Sequence, residues 1–120
     1  MSILDADSDG TLFVYGSLLD ETHRCALLRR EIAAAPARIS GYERGRGRHF
    51  YIVERAGVET SGLVLSGLGE RDFAVLDRYE EVPRLYTRVK LEVIAIVGAG
   101  GVPLRCWVYL PTPALLGIEG

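Results

Sequence analysis

A chain of 120 residues, 48% hydrophobic and 25% charged, is long enough to bury one core and has the make-up of an ordinary globular domain. Its formal net charge of −2 offers no electrostatic pull toward nucleic acid or an anionic membrane surface. No apolar run approaches the roughly 18 residues of a membrane span, and the acidic start "MSILDADSDG" lacks the basic opening and apolar middle of a signal peptide.

The first element in chain order is an apolar strand over residues 12–15, cut short by Gly16 and Ser17. Residues 20–35, "DETHRCALLRREIAAA", read as a helix: Asp20 is its cap, Leu27, Leu28 and Ile32 recur at helical spacing, and Pro36 ends it. Three β-rich segments follow, "ARISGY", "RHFYIVE" and "TSGLVLS", separated by glycine-containing turns. Residues 70–80 read as a second helix. "YTRVKLEVIAIV" then alternates inward Val89, Leu91 and Val93 with outward Arg88, Lys90 and Glu92, and meets "PLRCWVYL" across "GAGG" as a long hairpin.

Strands outnumber helices and pair mostly with near neighbours, which predicts an α+β domain: a small mixed β-barrel with flanking helices. The chain is expected to be one domain over 1–120, with 1–10 and 112–120 as flexible ends. Cys25 and Cys106 form no CxxC pattern, so they read as buried thiols in a reducing, cytoplasmic setting.

The second helix carries the most telling chemical choice. Phe73, Val75, Leu76 and Tyr79 define an apolar face. Glu80 projects about 70° from its centre, against about 130° for Asp77 and about 170° for Glu81. Asp77 and Glu81 should therefore be wet, and Glu80 should lean toward the interior or a cleft. A carboxylate at an apolar rim costs free energy unless something satisfies or uses it. The plain alternative is that Glu80 bends to water or pairs with Arg84 or Arg88. Tyr86 and Tyr109 are candidates to orient it. The opening turn is a second candidate: the N–H groups of Gly16, Ser17 and Leu18 can form a nest for a carboxylate, with Gly16 letting a ligand come close.

"FVYGSL", "LDRYEEVPRLYTR" and "CWVYLP", in this order, resemble the γ-glutamylcyclotransferase-like family, specifically its AIG2-like and γ-glutamylamine cyclotransferase branch. The resemblance runs from about Thr11 to Pro111. It implies an enzyme that cyclises a γ-glutamyl amide or peptide to 5-oxoproline and releases the amine or amino acid. Transferred residue by residue, it gives Tyr15, Gly16, Ser17 and Leu18 as the loop that binds the γ-glutamyl group, and Glu80 as the catalytic acid/base. Tyr86 and Tyr109 join the substrate-binding set. Two departures stand out: Glu81 occupies the place where the family often has glycine, and "GYERGRGRHFYIVERAG" lacks a Tyr-Pro step that many relatives carry. The implied partner is a small γ-glutamyl molecule, with no cofactor, and the chain acts as a monomer or homodimer.

Other constellations carry less. "YGSLL" lacks the second glycine of a nucleophile elbow, and no carboxylate is evident behind His23, which argues against a Ser17–His23 hydrolase. His23 and His49 show no metal-ligand spacing with each other or with the cysteines. "RGRGRH" reads as a solvated basic turn rather than a phosphate site. The main rival is a non-catalytic binding or regulatory module on the same fold, because function resides in the site.

Overall fold

Residues 12–14 are apolar on both sides of the chain, as a strand covered on both faces requires. In the computed structural model, which describes residues 7–45 and 47–119, they end strand β1 (Asp7–Val14). The period-two alternation of a strand divides this run between two cores. Leu12 and Val14 join the core shared with the helices, whereas Phe13 and Tyr15 join the one formed with Ile39, Ile52, Val93 and Val108.

Strand β2 (Ala33–Arg44) and β3 (Ile52–Ser66) form one antiparallel pair, and β4 (Tyr86–Val97) and β5 (Gly100–Pro111) form another. β1 lies between the two pairs, antiparallel to β3 and parallel to β5. The five strands close into a barrel in the order β1-β3-β2-β4-β5. This is the mixed barrel expected from the sequence. The three short β segments prove to be two long strands, the second bending at Gly57, where φ is +84°.

Helix α1 spans only Glu21–Leu28, not 20–35. Arg29 ends it in the left-handed conformation (φ 61°), its N–H donating to the Cys25 carbonyl at 2.8 Å. Residues 33–36 belong to β2 instead, paired with residues 63–66 of β3. Alanine favours helix by only a fraction of a kcal/mol per residue, and cross-strand pairing and burial override that preference. Pro36 is therefore a strand residue; β2 pairs with β4 only from Ala37 onward, and the residue before a proline is already biased toward extended backbone.

Helix α2 (Glu70–Tyr79) matches its expected span. Asp72 accepts from the Gly69 N–H at 2.9 Å and from Arg30 at 2.6 Å, tying the start of α2 to the chain beyond α1. Phe73 and Leu76 are buried. α2 lies over the β4–β5 ribbon, where the Arg88 guanidinium sits 4.4 Å from the centres of both the Phe73 and Trp107 rings. Arg88 and Lys90 thus point out of the barrel, as expected, yet are largely covered.

A third helix, α3 (Pro113–Glu119), lies in the stretch 112–120 expected to be a flexible end; it inserts Leu115 fully into the helix-side core. The expected flexible end at 1–10 lies outside the described residues through residue 6. Cys106 is buried as expected, whereas Cys25 is only half-buried, and both are free thiols. Among the described residues, no helix is long and apolar enough to cross a membrane.

Arg29 holds a conformation that disfavours any residue with a Cβ. Arg29→Gly should stabilise the fold by about 1 kcal/mol, read as a higher urea midpoint at unchanged slope. A lower midpoint would show that the arginine side chain contributes more than its backbone costs.

Candidate active site

At the end of β1 the chain turns through Gly16 into one turn of 3-10 helix, Ser17–Leu19. The backbone angles of Gly16 lie at φ −131° and ψ −128°, so the need for glycine does not come from a left-handed conformation. It comes from space. A Cβ at this position would sit 2.5 Å from Cβ of Phe50 and 2.8 Å from its Cγ. The Leu19 N–H closes the turn on the Gly16 carbonyl at 3.0 Å, and buried Leu18 anchors it. Among the described residues, the N–H groups of Gly16, Ser17 and Leu18 find no acceptor.

Glu80 lies opposite, at the end of α2. Its N–H still bonds to the Leu76 carbonyl at 2.9 Å, which fixes its helical phase. Glu81 then takes a left-handed conformation (φ 57°), and the Val82 N–H returns to the Asp77 carbonyl at 2.9 Å, a helix stop of Schellman type. Glu80 and residues 13–18 line a cavity of about 30 Å³ together with Phe50 and Tyr109. That volume holds about one water molecule.

The Glu80 carboxyl has no hydrogen-bonding partner among the described residues. Burial pushes its pKa up to about 7. The nearby arginines are engaged elsewhere. Arg84 pairs with exposed Glu81 at 2.6 Å, and Arg88 grips Asp77 through Nε and Nη2 at 3.0 and 3.2 Å. Arg44 donates to the Tyr15 and Ser61 carbonyls at 2.5 and 2.8 Å. Glu80 is therefore paired with neither Arg84 nor Arg88.

Three phenols sense the Glu80 charge: Tyr15, Tyr86 and Tyr109. Each donates its proton away from Glu80. Tyr15 donates to the Tyr109 carbonyl at 2.6 Å, Tyr86 to the Phe50 carbonyl at 2.5 Å, and Tyr109 to Asp77 at 2.6 Å. Burial, above all, raises the pKa of all three phenols, so they stay neutral donors. What remains at each phenolic oxygen is acceptor capacity.

The structure brings Tyr15, Gly16, Ser17, Leu18, Glu80 and Tyr109 together around one cavity. Tyr86 stands behind this wall and holds Phe50 through its carbonyl. Two phase expectations are corrected. Asp77, read as solvent-facing, is half-buried against the β4–β5 ribbon because Tyr109 and Arg88 both reach it. Tyr79, read as core, is exposed at the cavity side; its hydroxyl lies 2.8 Å from both Ser17 Oγ and His23 Nε2. Among the described residues, Ser17 and His23 are thus linked through Tyr79. Phe50 carries no local sequence pattern that marks it; Arg44, read as the start of the solvated basic turn "RGRGRH", instead spends its guanidinium on the Tyr15 and Ser61 carbonyls. Asp77 had a signal, its i, i+3 spacing from Glu80. Among the described residues, no three His, Cys, Asp or Glu side chains cluster as a metal site.

Comparison with known proteins adds a family. The model of the family "Gamma-glutamyl cyclotransferase, AIG2-like" matches residues 12–118. No curated protein sequence matches the chain. Among solved structures, an Arabidopsis thaliana protein is 24% identical, covers 94% of this chain and 75% of its own, and superposes with a TM-score of 0.77. A γ-glutamyl cyclotransferase follows at 23% identity, 88% and 68% coverage and a TM-score of 0.73. A mouse (Mus musculus) AIG2-like protein is 23% identical over 88% of this chain and 78% of its own, with a TM-score of 0.65. At these identities the structural likeness shows the fold.

The raised Glu80 pKa makes stability depend on pH in a defined direction. Below the ordinary carboxyl value of 4.5 the group is protonated in both the folded and unfolded chain and costs nothing. As pH rises to about 7 the unfolded chain ionises while the folded one keeps its proton, so stability is lost across that window. Glu80→Gln should therefore be more stable than wild type at pH 8, by roughly 2 kcal/mol after allowing for partial exposure, and nearly equal to it at pH 4. Urea denaturation at the two pH values checks this. An equal difference at both would mean that the carboxyl is not held out of water.

Proposed function

The chain belongs to the γ-glutamyl cyclotransferase, AIG2-like family, and we propose that it is an enzyme of that type, closing a γ-glutamyl amide or peptide to 5-oxoproline with release of the amine or amino acid. One observation carries this reading: among the described residues, a half-buried carboxyl with no cationic partner faces a turn whose three N–H groups lack acceptors, across one small cavity.

The substrate end this pairing fits is an amino acid. Its α-carboxylate takes the N–H groups of Gly16, Ser17 and Leu18, and its α-ammonium lies toward Glu80 and the phenolic oxygens. The α-nitrogen is then held near its own γ-carbonyl. Attack closes a five-membered ring, and well-oriented intramolecular reactions of this kind reach effective molarities of about 10⁵ M or more. The new bond joins the α-nitrogen to the γ-carbonyl carbon, and the original amide C–N bond breaks. The α-nitrogen enters as an ammonium and ends as a ring N–H, so it gives up two protons, one to ionised Glu80 before attack and one as the ring closes. The departing nitrogen takes one from Glu80 as its C–N bond breaks and the other as it leaves as an ammonium. A carboxyl near pKa 7 both accepts and returns a proton at neutral pH, which an ordinary solvated glutamate does poorly.

A cavity of about 30 Å³ is too small for a glutamyl group, so entry requires the Phe50 ring to swing aside. Phe50 is 57% exposed, so solvent lies on the side away from the cavity. We assign the leaving group to the amine class, following the branch that the sequence resembles.

Release of 5-oxoproline from a panel of γ-glutamylamines, γ-glutamyl amino acids and glutathione tests the reaction. Glu80→Gln should lower kcat by about 10²- to 10⁴-fold, whereas Glu81→Gln, on the exposed side of the helix stop, should change it little. Because the base must be ionised to take the first proton, kcat/KM should fall as pH drops through about 7. Full activity in Glu80→Gln would remove it from the mechanism. An inactive wild type that still binds γ-glutamyl compounds would identify a binding module.

A further inference from the structure

Tyr109 and Arg88 are cross-strand partners in the β4–β5 ladder, and both side chains converge on Asp77 of α2. Asp77 Oδ1 accepts the Tyr109 hydroxyl at 2.6 Å and Arg88 Nε at 3.0 Å, while Oδ2 accepts Arg88 Nη2 at 3.2 Å. The guanidinium is itself clamped between the Phe73 and Trp107 rings. Asp77 precedes Glu80 by three residues, so one helix turn sets the carboxylate that holds Tyr109 and the carboxyl that shares a cavity with it. Tyr15 fixes the same tyrosine from the other side, through its backbone carbonyl.

We propose that Asp77 is a positioning residue: clamped by Arg88, it holds the Tyr109 hydroxyl as a donor, so that this oxygen meets the cavity only as an acceptor. This rests on reading the cavity as the γ-glutamyl site. A carboxylate accepts hydrogen bonds and cannot donate them, so the direction of the Tyr109 proton follows from its partner. A hydroxyl held this way offers a lone pair to the α-ammonium of an incoming substrate or to the protonated Glu80 carboxyl. Without Asp77 the hydroxyl rotates, and it donates toward Glu80 as readily as it accepts. Asp77 touches neither the cavity nor the reacting atoms; it acts through Tyr109.

A double-mutant cycle separates this role from a general structural one. Asp77→Asn should lower kcat/KM by between about 10- and 100-fold, as small misplacements of binding groups do. In a Tyr109→Phe background the same change should cost less than about 2-fold, because the hydroxyl it positions is gone. Equal losses in both backgrounds would overturn the proposal. A second readout needs no turnover: with ¹³Cζ-labelled tyrosine, the Tyr109 resonance, assigned by its absence in Tyr109→Phe, should shift in Asp77→Asn and far less in Asp77→Glu. An unmoved resonance in folded Asp77→Asn would also overturn it. If Asp77→Asn does not fold, Asp77→Glu serves in both measurements, and it should retain more kcat/KM than Tyr109→Phe if the carboxylate acts through the hydroxyl. A wild type inactive on every γ-glutamyl compound would count against the proposed reaction, and the resonance would then decide the Asp77–Tyr109 link by itself.

Discussion

A carboxyl kept partly out of water without a cation is costly, and much of the local structure around α2 maintains that condition at Glu80. The arginines that would relieve it are bound before they can reach it: Arg84 by Glu81, Arg88 by Asp77 and two aromatic rings, and Arg44 by two backbone carbonyls. Each is held by geometry that also serves the fold. Arg88 helps cement α2 onto the β4–β5 ribbon, and Arg44 ties the end of β2 to the end of β1. The isolation of Glu80 is thus built into how the barrel and α2 are joined.

The phenols extend the same logic. A tyrosine hydroxyl beside a carboxyl would normally donate to it, favour the ionised form and lower its pKa. Here the protons of Tyr15, Tyr86 and Tyr109 go to two backbone carbonyls and to Asp77. None of the three protons is directed at Glu80. Such surroundings favour the protonated acid over the anion, and they favour a cation over either. On the proposed reading the incoming α-ammonium supplies that cation, so the ionised glutamate gains its missing partner when substrate arrives.

The fold and much of the site were legible in the sequence because they depend on local signals. The "FVYGSL" turn follows a strand, α2 has a strong period, and its phase put Glu80 toward the cavity. The same phase misjudged Asp77 and Tyr79. An angle around a helix says which residues share a side, but not what packs there, and the β4–β5 ribbon covers the side on which Asp77 lies. The overlong first helix failed for a related reason: Ala33–Ala35 prefer helix in isolation, and pairing with β3 decides otherwise. The departure at Glu81, where the resembled family often has glycine, has a backbone meaning. That position takes a left-handed conformation to stop α2, which glycine adopts without strain and which Glu81 adopts with Arg84 alongside. The substitution therefore bears on how the helix ends and leaves the direction of Glu80 intact.

Gly16 joins the two ends of the site. Its missing side chain lets Phe50 close directly over the turn, and Tyr86 holds Phe50 in place through a backbone carbonyl. The same closeness leaves the cavity small, with N–H donors at one end and a carboxyl at the other that find no partner among the described residues. Donors without acceptors and an acid without a cation are each unfavourable alone. A molecule carrying a carboxylate and an ammonium on one carbon satisfies both at once, and a molecule carrying only one of them leaves the other cost standing. On the proposed reading, selectivity for the amino-acid end of a γ-glutamyl compound follows from these two complementary deficits, which face each other across one small cavity beside Phe50.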